Sequence, residues 1–415
     1  MAPVGKRHIP HMGNASKNVV AAVLALMLFG GCSAEGETVS NVNTPQTPSV
    51  ERSIGFDGDI VRLGVIANLT GSDATLDRAR LTGVSAYWSD VNMAGGLRGR
   101  YAVELAIIDH RGDPQIAAAA IPELLEQVVA LAFVNETAMG AVYPFLVADE
   151  VLGVAPTSTL DWESDSRFLT HSPPVEAIVL ALFESAPSAR WCVVTDGSPL
   201  GVSVEAAAFE AARLAGVQRI TLMDVSEDLR AAVSAAACDQ VLVEAVDGFQ
   251  ETVLASLPAN RTVYRRAALM PPLKNRDDIE LSYIDSGPPW NVDASTGMRR
   301  FLAAVLRHAP DTEPDTRIRE GYVSQLRLHA LLEQAVSLGD LRRSNLFSLS
   351  QSHQLIDMLG LAEDTDMSTD QQAFPRSAIV WTENDDQVDV DGRGWSLEKL
   401  LRPEKFLTLA SELRN

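Results

Sequence analysis

Side chains able to carry out covalent or acid–base chemistry are few in this chain and are not spaced as a catalytic set. Of the seven histidines, His8 and His11 lie near the N-terminus, and no two of the others are spaced as a zinc motif. Ser198 lies in DGSPLG, which lacks the second glycine of a nucleophile elbow. The acidic segment 387–398 resembles a calcium loop only in part, because Gln387 occupies the first ligand position. We therefore expect no enzyme activity, no cofactor and no metal site.

The N-terminal segment has the layout of an export signal that ends at Cys32. Basic residues precede an apolar run over residues 19–29, which is too short to span a bilayer but long enough for a secretory signal core. The ending LFGGC resembles the lipobox of bacterial lipoproteins, in which the signal is cut before a cysteine that carries diacylglycerol. The resemblance implies a signal peptide over residues 1–32, lipidation of Cys32 and a place on the outer face of the cell membrane. An ordinary signal with an incidental cysteine is the alternative.

The two remaining cysteines, Cys192 and Cys238, are candidates for a disulfide. Cys192 falls in the predicted strand RWCVVTD and Cys238 directly precedes the predicted strand DQVLVEAV, so both can lie at one end of neighbouring parallel strands. An exported protein can oxidise such a pair. Two buried thiols that act as small apolar side chains are an equally compatible interpretation.

Composition and charge limit the partners of the chain. Its 415 residues are 46% hydrophobic, which allows sizeable cores, and the length favours two domains. The formal net charge of -21 disfavours a general attraction to nucleic acid or to an anionic membrane. Residues 33–57 are rich in Ser, Thr, Asn and Pro without an apolar period, and they are predicted to be a flexible tether.

From residue 58 the pattern changes to strands that alternate with helices. Strand candidates such as VVALAFV are apolar throughout, which is typical of parallel strands buried on both faces. Two successive series of alternating strands and helices follow one another along the chain, and they predict an α/β fold of two doubly wound parallel-sheet lobes. The end of the chain, residues 377–401, is predicted as a strand, an acidic turn and a short helix.

Six segments of the chain carry a family resemblance, in this order: VRLGVIANLTG, GVSAYWSDVNMAGGLRGR, VELAIIDHRGDP, VADEVLGVAPTST, VVTDGSPLGVSVEAAAFEAARLAGV and REGYVSQLRLHALLEQA. Together they resemble strand, turn and helix units of the type I periplasmic binding proteins, in the branch that serves ABC importers of branched-chain amino acids. The resemblance covers most of residues 58–340.

The resemblance implies two lobes joined by a hinge, with chain crossings that place residues 58–165 and 288–374 in lobe one and residues 166–287 and 375–415 in lobe two. It also implies a receptor that closes around a small amino-acid-like or other polar or amphipathic solute and delivers it to an ABC transporter permease. A sensor or envelope interaction lipoprotein on the same scaffold is the alternative.

Open parallel sheets bind ligands beyond the carboxyl ends of their strands, where helix N-termini present unpaired amide groups. Two segments fall there in lobe one: Asn135, Glu136 and Thr137 after the third strand, and Ser158 and Thr159 after the fourth. The resemblance implies that hydroxyl and amide groups at these places hold an anionic group of the solute, whereas the carboxylate of Glu136 would repel such a group and attract an ammonium or hydroxyl group instead. Helix capping is the alternative role for each of them.

Other positions depart from the family pattern. The aromatic side chains that close over an amino acid in the family fall on Leu76 and Leu200 in this chain, and the acid that binds the ammonium group is replaced near Met270. Asp247, after DQVLVEAV, is a candidate substitute. The sequence therefore predicts Leu200 and Asp247 as solute contacts and leaves open whether the solute is an amino acid.

Overall fold

The computed structural model describes residues 48–71, 74–156, 159, 167–225, 228–245, 247–266, 278–288, 295–352, 354–366, 377–388 and 394–413. Cys32 and Ser158 lie outside these residues. Within the described ranges, no helix combines the length and the apolar character that a bilayer-spanning segment needs.

The first sheet has five parallel strands in the spatial order β2-β1-β3-β4-β5. They are β1 (Ile60–Ala67), β2 (Ala102–Asp109), β3 (Ala130–Val134), β4 (Gly153–Val154) and β5 (Phe168–Leu169), and they are connected in part by helices α1 (Ala74–Met93), α2 (Pro114–Leu125) and α3 (Glu136–Ala148). Because alternate residues of a strand point to opposite faces, Leu63 packs with Val84 of α1, whereas Ile66 packs with Ile121 of α2. The sheet therefore carries helices on both faces, and its last strand lies beyond residue 165.

The second sheet has seven strands in the spatial order β14-β13-β10-β9-β8-β6-β7. Its strands are β6 (Arg190–Thr195), β7 (Arg219–Asp224), β8 (Gln240–Glu244), β9 (Thr262–Arg266), β10 (Glu280–Asp285), β13 (Ala378–Val388) and β14 (Gly394–Leu401). Strands β6 to β10 are parallel, which confirms a second doubly wound unit. Helices α4 (Val175–Ser185), α5 (Pro199–Ala215), α6 (Leu229–Ala236), α7 (Asp247–Ser256) and α12 (Phe406–Leu413) belong to this half of the chain.

The C-terminal part of this sheet differs from the prediction. Strand β13 runs antiparallel to both β10 and β14, so the sheet is mixed rather than wholly parallel. The short helix predicted before residue 401 is wrong, because strand β14 occupies that segment. Pairing along β13 outweighs the helix-forming residues of the sequence SLEKLL. Strand β10, with the sequence ELSYID, was not expected from the pattern either.

Cys192 and Cys238 form a disulfide in the core on one side of the second sheet. Their Cα atoms are 5.7 Å apart. Cys192 lies on β6 and Cys238 lies just before β8, and these two strands are direct neighbours with parallel register. The bond therefore joins two central strands of one lobe.

A late group of helices returns to the first sheet. These are α8 (Thr296–His308), α9 (Thr316–Val323), α10 (Gln325–Leu338) and α11 (Arg343–Ser350), followed by the hairpin of β11 (Leu355–Ile356) and β12 (Thr365–Asp366). Phe301, Val323 and Leu331 of this group are buried in the same core as Trp88 of α1. The first lobe therefore combines an early and a late part of the chain.

Two glycines let α1 and α9 touch through their backbones. A Cβ atom at Gly321 would lie 1.9 Å from the carbonyl oxygen of Arg80, and one at Gly83 would lie 1.9 Å from the carbonyl oxygen of Ile318. No larger side chain fits at either position without separating the helices. The contact fixes Arg80 opposite the C-terminal half of α9, at Gly321.

Buried arginines on α9 and α10 hold the segments where the chain crosses between the sheets. Both amino groups of Arg319 are engaged: Nη2 donates to both carboxylate oxygens of Asp285 at 2.5 Å, and Nη1 donates to the carbonyl oxygens of Pro288 at 2.7 Å and Leu361 at 3.3 Å. Arg327 Nη1 donates to the carbonyl oxygen of Thr170 at 2.7 Å. Asp285 and Pro288 begin one crossing and Thr170 begins another, so both crossings are anchored to the late helices.

We expect Gly321→Ala to destabilise the protein by about 2 kcal/mol, because the added methyl group must push α9 away from α1. Urea unfolding followed by circular dichroism measures the effect. Gly140→Ala in α3 is the matched control: nothing lies within 4 Å of its added Cβ, so it should stabilise by up to about 1 kcal/mol. Equal effects of the two substitutions would contradict a close contact between α1 and α9.

Candidate functional site

The residues after β3 form a tight cap at the carboxyl edge of the first sheet. Asn135 precedes α3, and its Oδ1 accepts hydrogen bonds from the Thr137 amide at 2.9 Å and the Thr137 hydroxyl at 2.6 Å. Its Nδ2 group donates to Oδ2 of Asp77 at 2.8 Å. Asn135 thus serves as the helix cap, the alternative role that the sequence allowed, and Thr137 donates to it through both its amide and its hydroxyl.

Arg80 lies at the centre of a buried group of charges behind this cap. Its side chain is 0% exposed. Nη1 donates to the two carboxylate oxygens of Glu136 at 2.8 and 3.1 Å, and Nε donates to Glu320 at 3.0 Å. The Asp77 carboxylate is 3.8 Å from Nη1. We call Arg80, Asp77, Glu136 and Glu320 the Arg80 cluster; it joins α1, α3 and α9.

The carboxyl groups of the Arg80 cluster differ in acidity. Burial and the neighbouring charge of Glu136 raise the pKa of Asp77 to about 7, against the opposing effect of Arg80. Burial also raises the pKa of Glu320. For Glu136 the effect of burial is outweighed by the ion pair with Arg80, so its pKa is lowered. Glu136 is therefore the most acidic carboxyl of the three.

A second ion pair lies at the carboxyl edge of the second sheet. Glu244 ends β8 and Arg266 ends β9, and the Nε group of Arg266 donates to both Glu244 oxygens at 2.9 Å. Both side chains are buried. The charge of Arg266 contributes to the lowered pKa of Glu136, and the charge of Glu136 contributes to the raised pKa of Glu244. The charged groups at these two strand ends are therefore near enough to interact, and we call the space between them the cleft.

The other predicted solute contacts are placed in different ways. Thr159 is buried at 6% exposure. Leu76 and Leu200 lie in the first turns of α1 and α5, both half-buried, and Leu200 packs against the core of the second lobe. Asp247 begins α7, and its side chain lies outside the described part, as do Ser158 and Cys32.

The sequence prediction missed the arginines that organise the cleft. Arg80 lies on the same helical face as Gly83, Val84 and Tyr87, where an apolar residue is usual. Arg266 ends a buried strand. A cation is rarely buried without a partner of opposite charge. An arginine within an apolar helix face or strand was therefore the sequence signal for a buried ion pair.

The cleft has no arrangement suited to a metal ion in the residues that the structure describes, where no three histidine, cysteine or carboxylate side chains are grouped to hold one. The carboxylates of the Arg80 cluster surround a guanidinium group instead.

Comparison with known proteins agrees with this architecture. Residues 60–263 match a family model described as periplasmic binding protein. No match was found among curated proteins.

Several solved structures share the fold. A fatty acid ABC transporter substrate-binding protein from Thermomonospora curvata is 19% identical, with a TM-score of 0.73 over 87% of this chain and 96% of that chain. A solute binding protein of an ABC transporter from Rhodopseudomonas palustris, in complex with 3,4-dihydroxy benzoic acid, is 13% identical, with a TM-score of 0.66 over 83% of this chain and 98% of that chain. The leucine binding protein LivK from Thermotoga maritima is 15% identical, with a TM-score of 0.62 over 83% of this chain and 99% of that chain. At these identities the neighbours show the fold alone, and the fold confirms the predicted two-lobed class.

The raised pKa of Asp77 makes stability depend on pH. Its value is about 7 in the folded protein against 3.8 for the ordinary group, so between these values the folded state holds a proton that the unfolded chain loses. Stability from this residue therefore falls as pH rises from about 4 to 7. We expect Asp77→Asn to gain about 2 kcal/mol relative to the unmodified protein between pH 5 and pH 8, measured by urea unfolding.

Asp57→Asn is the matched control for this measurement. Hydrogen bonds from the Ile60 and Asp59 amides and from Arg62 lower the pKa of Asp57 to about 2, so it is ionised in both states above pH 5. The effect of Asp57→Asn should not change between pH 5 and pH 8. The same flat profile for Asp77→Asn would contradict a protonated Asp77.

Proposed function

The chain belongs to the periplasmic binding protein family, and on that premise we propose that it is the solute receptor of an ABC importer. It acts outside the cytoplasm, binds one small solute between its two lobes and presents it to the transporter permease. The observation that carries the proposal is the pair of facing sheet edges. The charge of Arg266 in one lobe contributes to the lowered pKa of Glu136 in the other, and the charge of Glu136 contributes to the raised pKa of Glu244.

Closure of the lobes explains why these charges are held so firmly. A binding surface gains affinity when its polar groups are ordered before the solute arrives. Arg80 fixes Glu136, and Glu244 fixes Arg266, through short hydrogen bonds to side chains that packing already holds. The hinge segments are anchored separately through Arg319 and Arg327. The lobes can then rotate as rigid bodies while each keeps its half of the site in order.

The solute is a small amino-acid-like or other polar or amphipathic molecule. The solutes in the names of the structural neighbours are a fatty acid, 3,4-dihydroxy benzoic acid and leucine, each of which joins a carboxyl group to an apolar part. Half-buried Leu76 and Leu200 offer apolar surface near the strand ends. Thr159 and Thr137, whose hydroxyl donates to Asn135, lie at the two positions predicted to contact the solute. This combination favours an amphipathic carboxylate.

The proposal predicts that one member of a panel of amino acids, aromatic acids and fatty acids raises the melting temperature. At a hundredfold excess over Kd the stabilisation is about 2.7 kcal/mol. Joint substitution of Thr137 and Thr159 by Ala should abolish the shift, while the free protein still folds with a melting temperature lowered by the loss of the Thr137–Asn135 hydrogen bond. Thr82→Ala, which removes an exposed hydroxyl on α1, is the matched control and should keep the shift. A panel without any shift would remove the main support for a transport role.

We further propose that Cys32 carries the lipid that holds the protein on the outer face of the membrane. Two acyl chains are enough for stable anchoring. We expect the Cys32→Ala variant to be absent from the membrane fraction and not to be labelled by a palmitate analogue. The Ser33→Ala variant should remain in the membrane fraction and should be labelled. Retention of the label in Cys32→Ala would contradict lipidation at this residue.

A further inference from the structure

A cavity on the first lobe has no part in the cleft between the lobes. Its volume is about 630 Å³, within the usual range for small-molecule sites. It lies between α1, α8, α9, α10 and the strand β11, and none of the Arg80 cluster lines it.

The inner wall of the cavity is rigid and mostly aromatic. The rings of Tyr87 and Tyr322 meet edge to face with centroids 4.9 Å apart, and the ring of His329 lies 5.6 Å from that of Tyr87. The Tyr87 hydroxyl is 2.6 Å from His329 Nδ1, and His329 Nε2 is 3.2 Å from Glu333. These bonds fix the ring orientations, so the wall does not need to be ordered by a ligand.

The outer wall and the rim are apolar. Leu326, Ile356 and Leu359 line the cavity, and Leu355 at its edge is 71% exposed. A large apolar side chain that is exposed beside a cavity adds surface that an apolar ligand can cover.

The acidic side chains that line the cavity already have partners. Asp90 pairs with Arg307, and the Glu333 carboxylate accepts a hydrogen bond from the Arg98 amide at 2.9 Å. Asp357 accepts a hydrogen bond from the Leu359 amide at 2.7 Å.

The basic residue of the lining is different. Arg300 is exposed and has neither a hydrogen bond nor an ion pair within the residues that the structure describes. The neighbouring carboxylates are paired with other groups, so the guanidinium group of Arg300 can form an ion pair with an anionic ligand.

We propose that this cavity is a second binding site, which takes a small organic anion with an apolar body. The carboxylate pairs with Arg300, and the apolar part lies against Leu326, Ile356 and Leu359. The site is built on the first lobe alone, so it does not require the cleft to close.

The test uses sodium octanoate as the probe, with 1-octanol and octylamine as neutral and cationic counterparts, and isothermal titration calorimetry as the measurement. Arg300→Glu should weaken octanoate binding at least tenfold and should not weaken octanol binding. Arg299→Glu is the matched control, because Arg299 is the adjacent exposed residue of α8 and does not line the cavity. It should keep octanoate affinity within twofold. Octylamine should bind Arg300→Glu more tightly than the unmodified protein.

Ala330→Leu fills the cavity from α10 and should abolish binding of both octanoate and octanol. Joint substitution of Thr137 and Thr159 by Ala, which alters the cleft, should leave octanoate binding intact. The proposal is overturned if the unmodified protein does not bind octanoate, or if Arg299→Glu loses as much affinity as Arg300→Glu. Loss of octanoate binding in the cleft variant would place the octanoate in the cleft and would also overturn it. Thermal melting confirms that each variant is folded.

Discussion

The burial of one guanidinium group, that of Arg80, constrains much of the first lobe. Removing an arginine from water costs several kcal/mol unless its donors are satisfied by acceptors of opposite charge. Arg80 meets this requirement for its Nε and Nη1 groups through Glu320 and Glu136, which come from segments far apart in the sequence, whereas Nη2 has no hydrogen-bond partner among the described residues. Helices α3 and α9 must therefore both reach α1. The close backbone contact at Gly83 and Gly321 lets α9 approach α1 closely enough for Glu320 to pair with Arg80.

The same constraint explains why the strand ends are ordered. Glu136 is the first residue of α3, and its ion pair with Arg80 fixes the point where β3 passes into that helix. Asn135 is fixed in turn by its hydrogen bond to Asp77. The second lobe uses a simpler device, in which neighbouring strands end in a Glu and an Arg that pair directly. Each half of the cleft is thus ordered by contacts within its own lobe.

Periodicity predicted the parts of the fold whose burial follows a simple local pattern, either a strand buried on both faces or a helix with one apolar face. Strands such as β3 and β8 are buried on both faces and read as continuous apolar runs, and α1 shows its apolar stripe. Strand β14 escaped prediction because its partner β13 decides its conformation, and single-sequence propensity carries no information on pairing.

The site was predictable to a smaller extent. The sequence correctly placed Asn135, Glu136 and Thr137 at the start of a helix after β3, since helix starts at sheet edges have a recognisable sequence form. The pairing of Arg80 with Glu320 was not identified, because an ion pair between residues 240 positions apart leaves no local pattern that names the partner. Gly321 gave an indirect signal only, as a glycine inside a helix whose reason is a contact with another helix.

Because of the position of the disulfide, the stability of the second lobe depends on the redox state of its surroundings, whereas that of the first lobe does not. Cys192 and Cys238 are 46 positions apart, so the bond lowers the entropy of the unfolded chain and raises the free energy of unfolding by about 4 kcal/mol. Both cysteines belong to the second lobe, so the bond does not bridge the hinge. A chain awaiting export in a reducing cytoplasm would lack this restraint, and the second lobe would acquire it only after translocation. Oxidation would then act as a step of maturation that secures one lobe without linking it covalently to the other.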